Sequence, residues 1–224
     1  MNTRMVKLLI LKDWYLQRWT LVGYLSASAA ALGLLGFGGE TAFAAGSILL
    51  ITVLIALGMH LAMATVIIER TEKTLPFVMS LPISPYEYTV SKIVANLLIF
   101  LLPWTALLIG ATVVILGRPG VPDGLLPFMV LINLELFVAY CIVLCMALVS
   151  ESTGWTIAAT VACNLGLQAF LYYVGHLPSI AATKLGPSVV WNSAAIGILT
   201  VEIAIIIFLL AITLWLQSRK RDFL

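Results

Sequence analysis

Three ionisable side chains, His60, Glu135 and Glu202, stand inside long apolar runs, and one polar island, ERTEKTLPFVMSLPISPYEYTVSK from Glu69 to Lys92, separates two of those runs. A charge left in the middle of a bilayer costs at least ~2.5 kcal/mol, so such residues face protein, water or a pathway. Glu135 lies nearest the middle of its run, and Glu202 falls in the outer half of the last one. Two chemistries fit them: lining or gating a transport pathway, or structural hydrogen bonding in a protonated or paired state. Asn133, Asn164 and Gln168 are weaker candidates of the same kind, with interhelical hydrogen bonding as their default.

The island has its own local chemistry. Ser84-Pro85-Tyr86-Glu87 has the form of a capping box with proline at the first helical position. The serine hydroxyl can accept from the Glu87 amide while the Glu87 carboxylate reaches back to the serine amide, so a helix is expected to start at Pro85. Upstream, Pro76 is tolerable only in a first helical turn and Pro82 ends the segment, with Thr74 a candidate cap. That leaves a short helix over about residues 74–81. Its side chains Leu75, Phe77, Val78, Met79 and Leu81 are too apolar to sit bare in water. They either lie back on the membrane interface or form a displayed helix, with Phe77 and Met79 filling a partner's groove.

The elements that must position these residues are long. Apolar residues make up 62% of the chain, charged residues 10%, and the mean hydropathy is +1.11, values far from those of a soluble domain. About 20 residues at 1.5 Å rise cross a hydrocarbon core. Six runs are long enough: 20–38, 42–68, 90–116, 125–149, 154–174 and 193–216. None alternates as a barrel strand would, so the fold class is all-α, a single six-span helical bundle over residues 1–224. The leading segment MNTRMVKLLILKDWYLQRW is broken by Lys12, Asp13, Gln17 and Arg18 and has no small-residue cleavage site, so it is expected to stay on the chain.

Charge sets the orientation. Of the 12 Lys and Arg, only Arg118 and Lys184 fall on one side of the spans. Arg4, Lys7, Lys12, Arg18, Arg70, Lys73, Lys92, Arg219, Lys220 and Arg221 fall on the other. The positive-inside rule then places both termini and the 69–89 loop in the cytoplasm. The same scatter over three juxtamembrane sites leaves no patch for nucleic acid. Cys141, Cys145 and Cys163 sit within spans, which indicates neither a disulfide framework nor a zinc site. The external connections are short. The last, residues 175–192 between the fifth and sixth spans, carries Pro178 and Pro187 around a helix-compatible run, read as a short helix or re-entrant hairpin, or an ordinary loop.

There is no phosphate-binding P-loop, zinc-protease motif, nucleophile elbow or dinucleotide fingerprint. The chain is expected not to be an enzyme, and any ATP it depends on is expected to be hydrolysed by another polypeptide.

The run IIERTEKTLPFVMSLPISPYEYTVSKIVANLLIF resembles the coupling loop of permease subunits of type-2 exporter-class ABC transporters, on Glu69, Arg70, Thr74, Leu75, Leu81, Pro82, Ser84, Glu87 and Lys92 in order. Lys73 and Pro76 depart from that pattern, where glycine and an acidic residue are frequent. The resemblance implies an N-terminal amphipathic interfacial elbow helix over residues 1–19 and a cytoplasmic coupling helix between spans two and three. The loop residues it implicates in gripping an ATPase are Glu69, Arg70, Glu72, Lys73, Thr74, Leu75, Phe77, Val78, Met79 and Leu81, with Ser84, Pro85 and Glu87 capping the third span. It further implies export of a lipid, peptide or drug across a bacterial cytoplasmic membrane. Two ATP-binding-cassette ATPase subunits would carry ATP and Mg, no cofactor would be bound by this chain, and a second permease subunit, identical or a sister, would complete the pathway. Candidate pathway or gate residues are Glu135, Glu202, His60, Asn164 and Gln168. Two other functions remain open: a proton-coupled secondary carrier or channel using Glu135 and Glu202, and a non-transporting membrane assembly subunit.

Overall fold

A computed structural model describes residues 3–72 and 83–219, and among them every regular element is helical. The long helices are α1 (Thr3–Phe37), α2 (Glu40–Ala62), α4 (Pro85–Gly117), α5 (Leu125–Ser150), α6 (Thr153–His176) and α8 (Ser193–Arg219). Two helices are four residues each: α3 (Ile68–Thr71) and α7 (Pro178–Ala181). Between α2 and α3 the chain widens into a π-helical turn, Met63–Ile67. Six helices are long and apolar enough to cross a membrane, α2 counting with its π-turn. They alternate in direction, so α1, α4 and α6 start at the end of the bundle that holds Thr3 and Arg219, here the terminal end.

The separate interfacial helix expected over residues 1–19 is not a distinct element, because Thr3–Phe37 forms one unbroken helix. The reason lies in its buried stripe. Val6, Leu9, Asp13, Leu21, Ser28, Ala31 and Leu35 recur at the helical spacings of three, four, seven and eight residues, so one face continues from the leading segment into the span. Arg4, Lys7 and Arg18 point away from it and are exposed.

The core is a seam of α2, α4 and α5. Leu54, Leu57 and Leu61 pack against Ile99, Phe100 and Leu107 and against Leu136, Tyr140 and Leu144. Phe100 and Tyr140 stack with ring centroids 3.9 Å apart and planes within 8°. Helix α1 crosses α2 at Gly46, where an added Cβ would stand 2.9 Å from both the Ala31 carbonyl oxygen and the Leu35 nitrogen. By contrast, Gly23 has nothing within 4 Å of its missing Cβ, so the crossing does not use Gly23 as a contact.

At the end opposite the termini, the Arg118 guanidinium donates to the carbonyls of Leu35 and Gly38 and so closes the last turn of α1. Helix α7 sits beneath this end, with Ile180 packed on Leu131 and Ala195. Lys184 Nζ donates to the Gly175 carbonyl at 2.7 Å, and Asn192 Nδ2 to that of Ser179 at 2.7 Å.

Candidate functional site

The terminal end carries a buried ion cluster built from three helices. Glu69 belongs to α3, directly after the π-turn. Lys92 lies two turns into α4, and Asp13 lies on the buried stripe of α1. Lys92 Nζ reaches Asp13 Oδ1 at 3.1 Å and Oδ2 at 2.9 Å, and Glu69 Oε1 at 2.8 Å. Tyr88, one turn before Lys92, donates its hydroxyl to Glu69 Oε2 at 2.9 Å. Lys12 bonds the same Glu69 carboxylate and stands 3.4 Å from Asp13. Lys92 and Asp13 are 1% and 3% exposed, so this is an ion pair removed from solvent, unlike a flexible surface bridge.

Burial by itself would raise the Glu69 carboxyl, but the ammonium groups of Lys92 and Lys12 outweigh it and hold the group below its ordinary value. Glu69 is therefore a carboxylate at neutral pH and a partner for both lysines.

A neutral polar ladder continues one turn deeper. Asn96 Nδ2 donates to Thr65 Oγ1 at 2.8 Å and to the Lys92 carbonyl at 2.9 Å. The Thr65 hydroxyl donates to the Leu61 carbonyl at 2.7 Å, and Tyr140 of α5 donates to Asn96 Oδ1 at 3.4 Å. Thr65 stands on the π-turn. Such turns displace side chains from the ordinary helical register, and this one sets Thr65 against Asn96 just before Glu69 meets Lys92.

Helix α4 starts with both halves of the capping box in place. Ser84 Oγ accepts from the Glu87 nitrogen at 3.2 Å, and the Ser84 nitrogen donates to Glu87 Oε2 at 2.8 Å, with Pro85 opening the helix. Below the box, Tyr88 packs with Leu9 of α1 and Ile83. Ser84→Ala should cost about 1 kcal/mol of local helix stability. Faster hydrogen exchange at the Glu87 and Tyr88 amides, with the rest of α4 unchanged, is the expected signature.

Of the other sequence-predicted residues, Glu72 is exposed and its nitrogen donates to the Ile68 carbonyl at 2.9 Å, while Arg70 falls within α3. Lys73, Thr74, Leu75, Phe77, Val78, Met79 and Leu81, and with them the expected coupling helix, lie outside the described residues.

The intramembrane candidates do not form one site. His60 Nε2 lies 3.1 Å from Gln17 Oε1 of α1. Asn164 bonds back to the Thr160 carbonyl at 2.9 Å, and Gln168 is exposed. Asn133 donates its side-chain amide to the Met129 carbonyl at 3.3 Å, and its backbone carbonyl accepts from Trp104 Nε1 at 2.7 Å. Glu135 and Cys163 line one depression between α5 and α6, and Glu202 lies on α8, which packs on α5 through Ile206 against Val138 and Cys141. The three cysteines are free, and no group of three metal-ligating side chains occurs among the described residues.

Sequence reasoning missed Lys12, Asp13, Thr65, Tyr88, Asn96 and Tyr140 as site residues. A signal existed for Asp13: Lys92 sits inside an apolar helix and requires a countercharge, and Asp13 is the acid on the leading segment. Nothing in the sequence announced the π-turn.

No family model, curated protein or solved structure matches this chain.

Proposed function

We propose that this chain is the transmembrane subunit of an ATP-driven ABC exporter, forming half of a pathway for a hydrophobic or amphipathic cargo. A separate ATPase would grip the loop between α3 and α4 from the cytoplasmic side. The loop motif that resembles type-2 exporter permeases supports this reading, together with six helices long and apolar enough to span.

One observation carries it furthest. The two ends of the 73–82 segment are not independent: Glu69 at one end and Lys92 and Tyr88 near the other are joined to each other and to Asp13 of α1. A force applied to that segment would reach α1, α2 and α4 together. Rigid-body tilting of packed helices is how such a force becomes a change of access. The polar ladder through Asn96 and Tyr140 extends the same connection to α5.

The test is to purify the chain with its native neighbours. An ATPase is expected to co-elute, and Phe77→Asp or Met79→Asp should release it while leaving the helical content and elution volume of the permease unchanged. Absence of any associated ATPase, with transport that follows a proton gradient instead, would sink the proposal.

A second reading, a proton-coupled carrier, is favoured by Glu202, which is 3% exposed with neither carboxyl oxygen hydrogen-bonded among the described residues. It requires Glu202→Gln to abolish proton-driven flux without any ATPase present.

A further inference from the structure

Helices α5 and α6 enclose a depression of about 520 Å³ on the face of the bundle away from α1. Ala139, Ile142 and Met146 of α5 form one wall; the other, from α6, is mostly alanine and glycine, which is why the space exists. The two helices are antiparallel, so Glu135 and Gly166 close one end and Met146 and Trp155 lie at the other. Eleven residues separate Glu135 from Met146, a groove roughly 17 Å long.

Glu202 lies on α8 at the depth of the Glu135 end. It belongs to the buried stripe of α8, on which Ile206, one turn further on, packs against Val138 and Cys141 of α5. Helices α5 and α8 run in the same direction, and the two carboxyls lie at matching depth, each roughly 15 Å from the start of its helix. Both Glu202 oxygens are buried without a hydrogen-bond partner among the described residues. The titratable neighbours are Tyr140, Cys141 and Cys145 on α5 and Cys163 on α6, none of them a cation at neutral pH. Helix α5 has no Lys, Arg or His, and the only ones on α6 and α8 are His176 and Arg219 at their last residues. The cations of α4, Lys92 and the Arg118 that follows it, lie at opposite ends of the bundle and are engaged there.

A carboxyl in such surroundings needs a countercharge or a proton. Bilayer tails can cover the groove, but a phospholipid headgroup stays at the interface and cannot supply a positive charge at this depth. We propose that Glu135 and Glu202 form an acidic site that receives the positive group of an amphipathic cation whose apolar body lies along the groove. This rests on the transport reading and narrows its cargo to lipophilic cations; an anionic amphiphile of the same shape is excluded by the same two carboxyls.

The probe is tetraphenylphosphonium, with isosteric tetraphenylborate as the charge control, measured by equilibrium dialysis against the full chain in nanodiscs of zwitterionic lipid. Saturable binding of the cation and none of the anion is expected. Glu135→Gln and Glu202→Gln should each weaken the cation by about tenfold or more, as expected for loss of a desolvated charge partner. Ala162→Trp, at an exposed position on the groove wall, should block binding with both carboxyls intact, which guards against a Gln variant that fails to fold. Equal binding of the two probes, or cation affinity unchanged in both Gln variants, overturns the site. Because binding is read without ATP, an ATPase that fails to co-purify would remove the exporter reading alone, and an ATPase that associates without charge-selective binding would remove the site alone.

Discussion

Lys92→Met should destabilise the protein by about 3–5 kcal/mol, because it removes the buried cation bonded to both Asp13 oxygens and leaves only the more exposed Lys12, at 3.4 Å. Methionine nearly preserves the side-chain volume, so the loss is electrostatic and not that of a cavity. Asp13 is 3% exposed and cannot recover its hydration without breaking the packing of α1 on α4. Glu69 keeps Lys12 and the Tyr88 hydroxyl and so suffers less. Adding Asp13→Asn to Lys92→Met removes the buried, poorly compensated charge and should restore much of the stability, although both charges are now gone. Chemical unfolding in detergent checks the pair. A single variant that loses less than ~1 kcal/mol, or a double variant no better than the single, would show that the cluster is hydrated.

The same cluster predicts an acid limit. Glu69 has a folded-state value below its ordinary 4.5, held there against burial by Lys92 and Lys12. A carboxyl depressed on folding contributes stability that is fully present above its unfolded value and is lost as pH falls through the folded one. Stability should therefore be flat with respect to Glu69 from pH 7 to about 5 and fall below about 4.5. Glu69→Gln should be less stable at neutral pH and show a shallower fall, which titration of the unfolding midpoint would reveal.

Gly46→Leu should be the second most damaging change, costing about 1–3 kcal/mol through overpacking. The atoms it meets are backbone, the Ala31 oxygen and the Leu35 nitrogen at 2.9 Å, so α1 and α2 must separate. Gly110 makes the contrast. Its added Cβ would run into Leu32 Cδ1, but that is the far end of a flexible side chain that can rotate away. Gly110→Ala should accordingly cost less than Gly46→Ala. Gly23→Ala meets nothing and should gain roughly 0.5–1 kcal/mol from helix propensity. Thermal unfolding of the three alanine variants ranks them, and Gly46→Ala as stable as Gly23→Ala would contradict the close crossing.

The class of fold was readable from the sequence for a simple physical reason. A backbone without water must satisfy itself, so a long apolar run with no alternation has one solution, and six such runs make a helical bundle. The start of α4 was equally local, since Ser84, Pro85 and Glu87 build their capping box within four residues and need no other part of the chain. Where the sequence suggested a break at residue 19, however, packing decided otherwise: the stripe from Val6 to Leu35 buries one continuous face and α1 is unbroken through it.

The partners of Lys92 were beyond local reading. Asp13 is 79 residues away and Glu69 is 23, and only the folding of α1 and α3 against α4 brings the three within 3.1 Å. The matching depth of Glu135 and Glu202 has the same character, because it depends on two non-consecutive helices that run in one direction and pack through Val138, Cys141 and Ile206. Sequence alone determined that charges in these helices needed partners, since the cost of an unpaired charge is a property of the residue and its medium. Tertiary structure decided which partners they took, since that depends on the register of helices far apart in the chain, and it left Glu202 with none among the described residues.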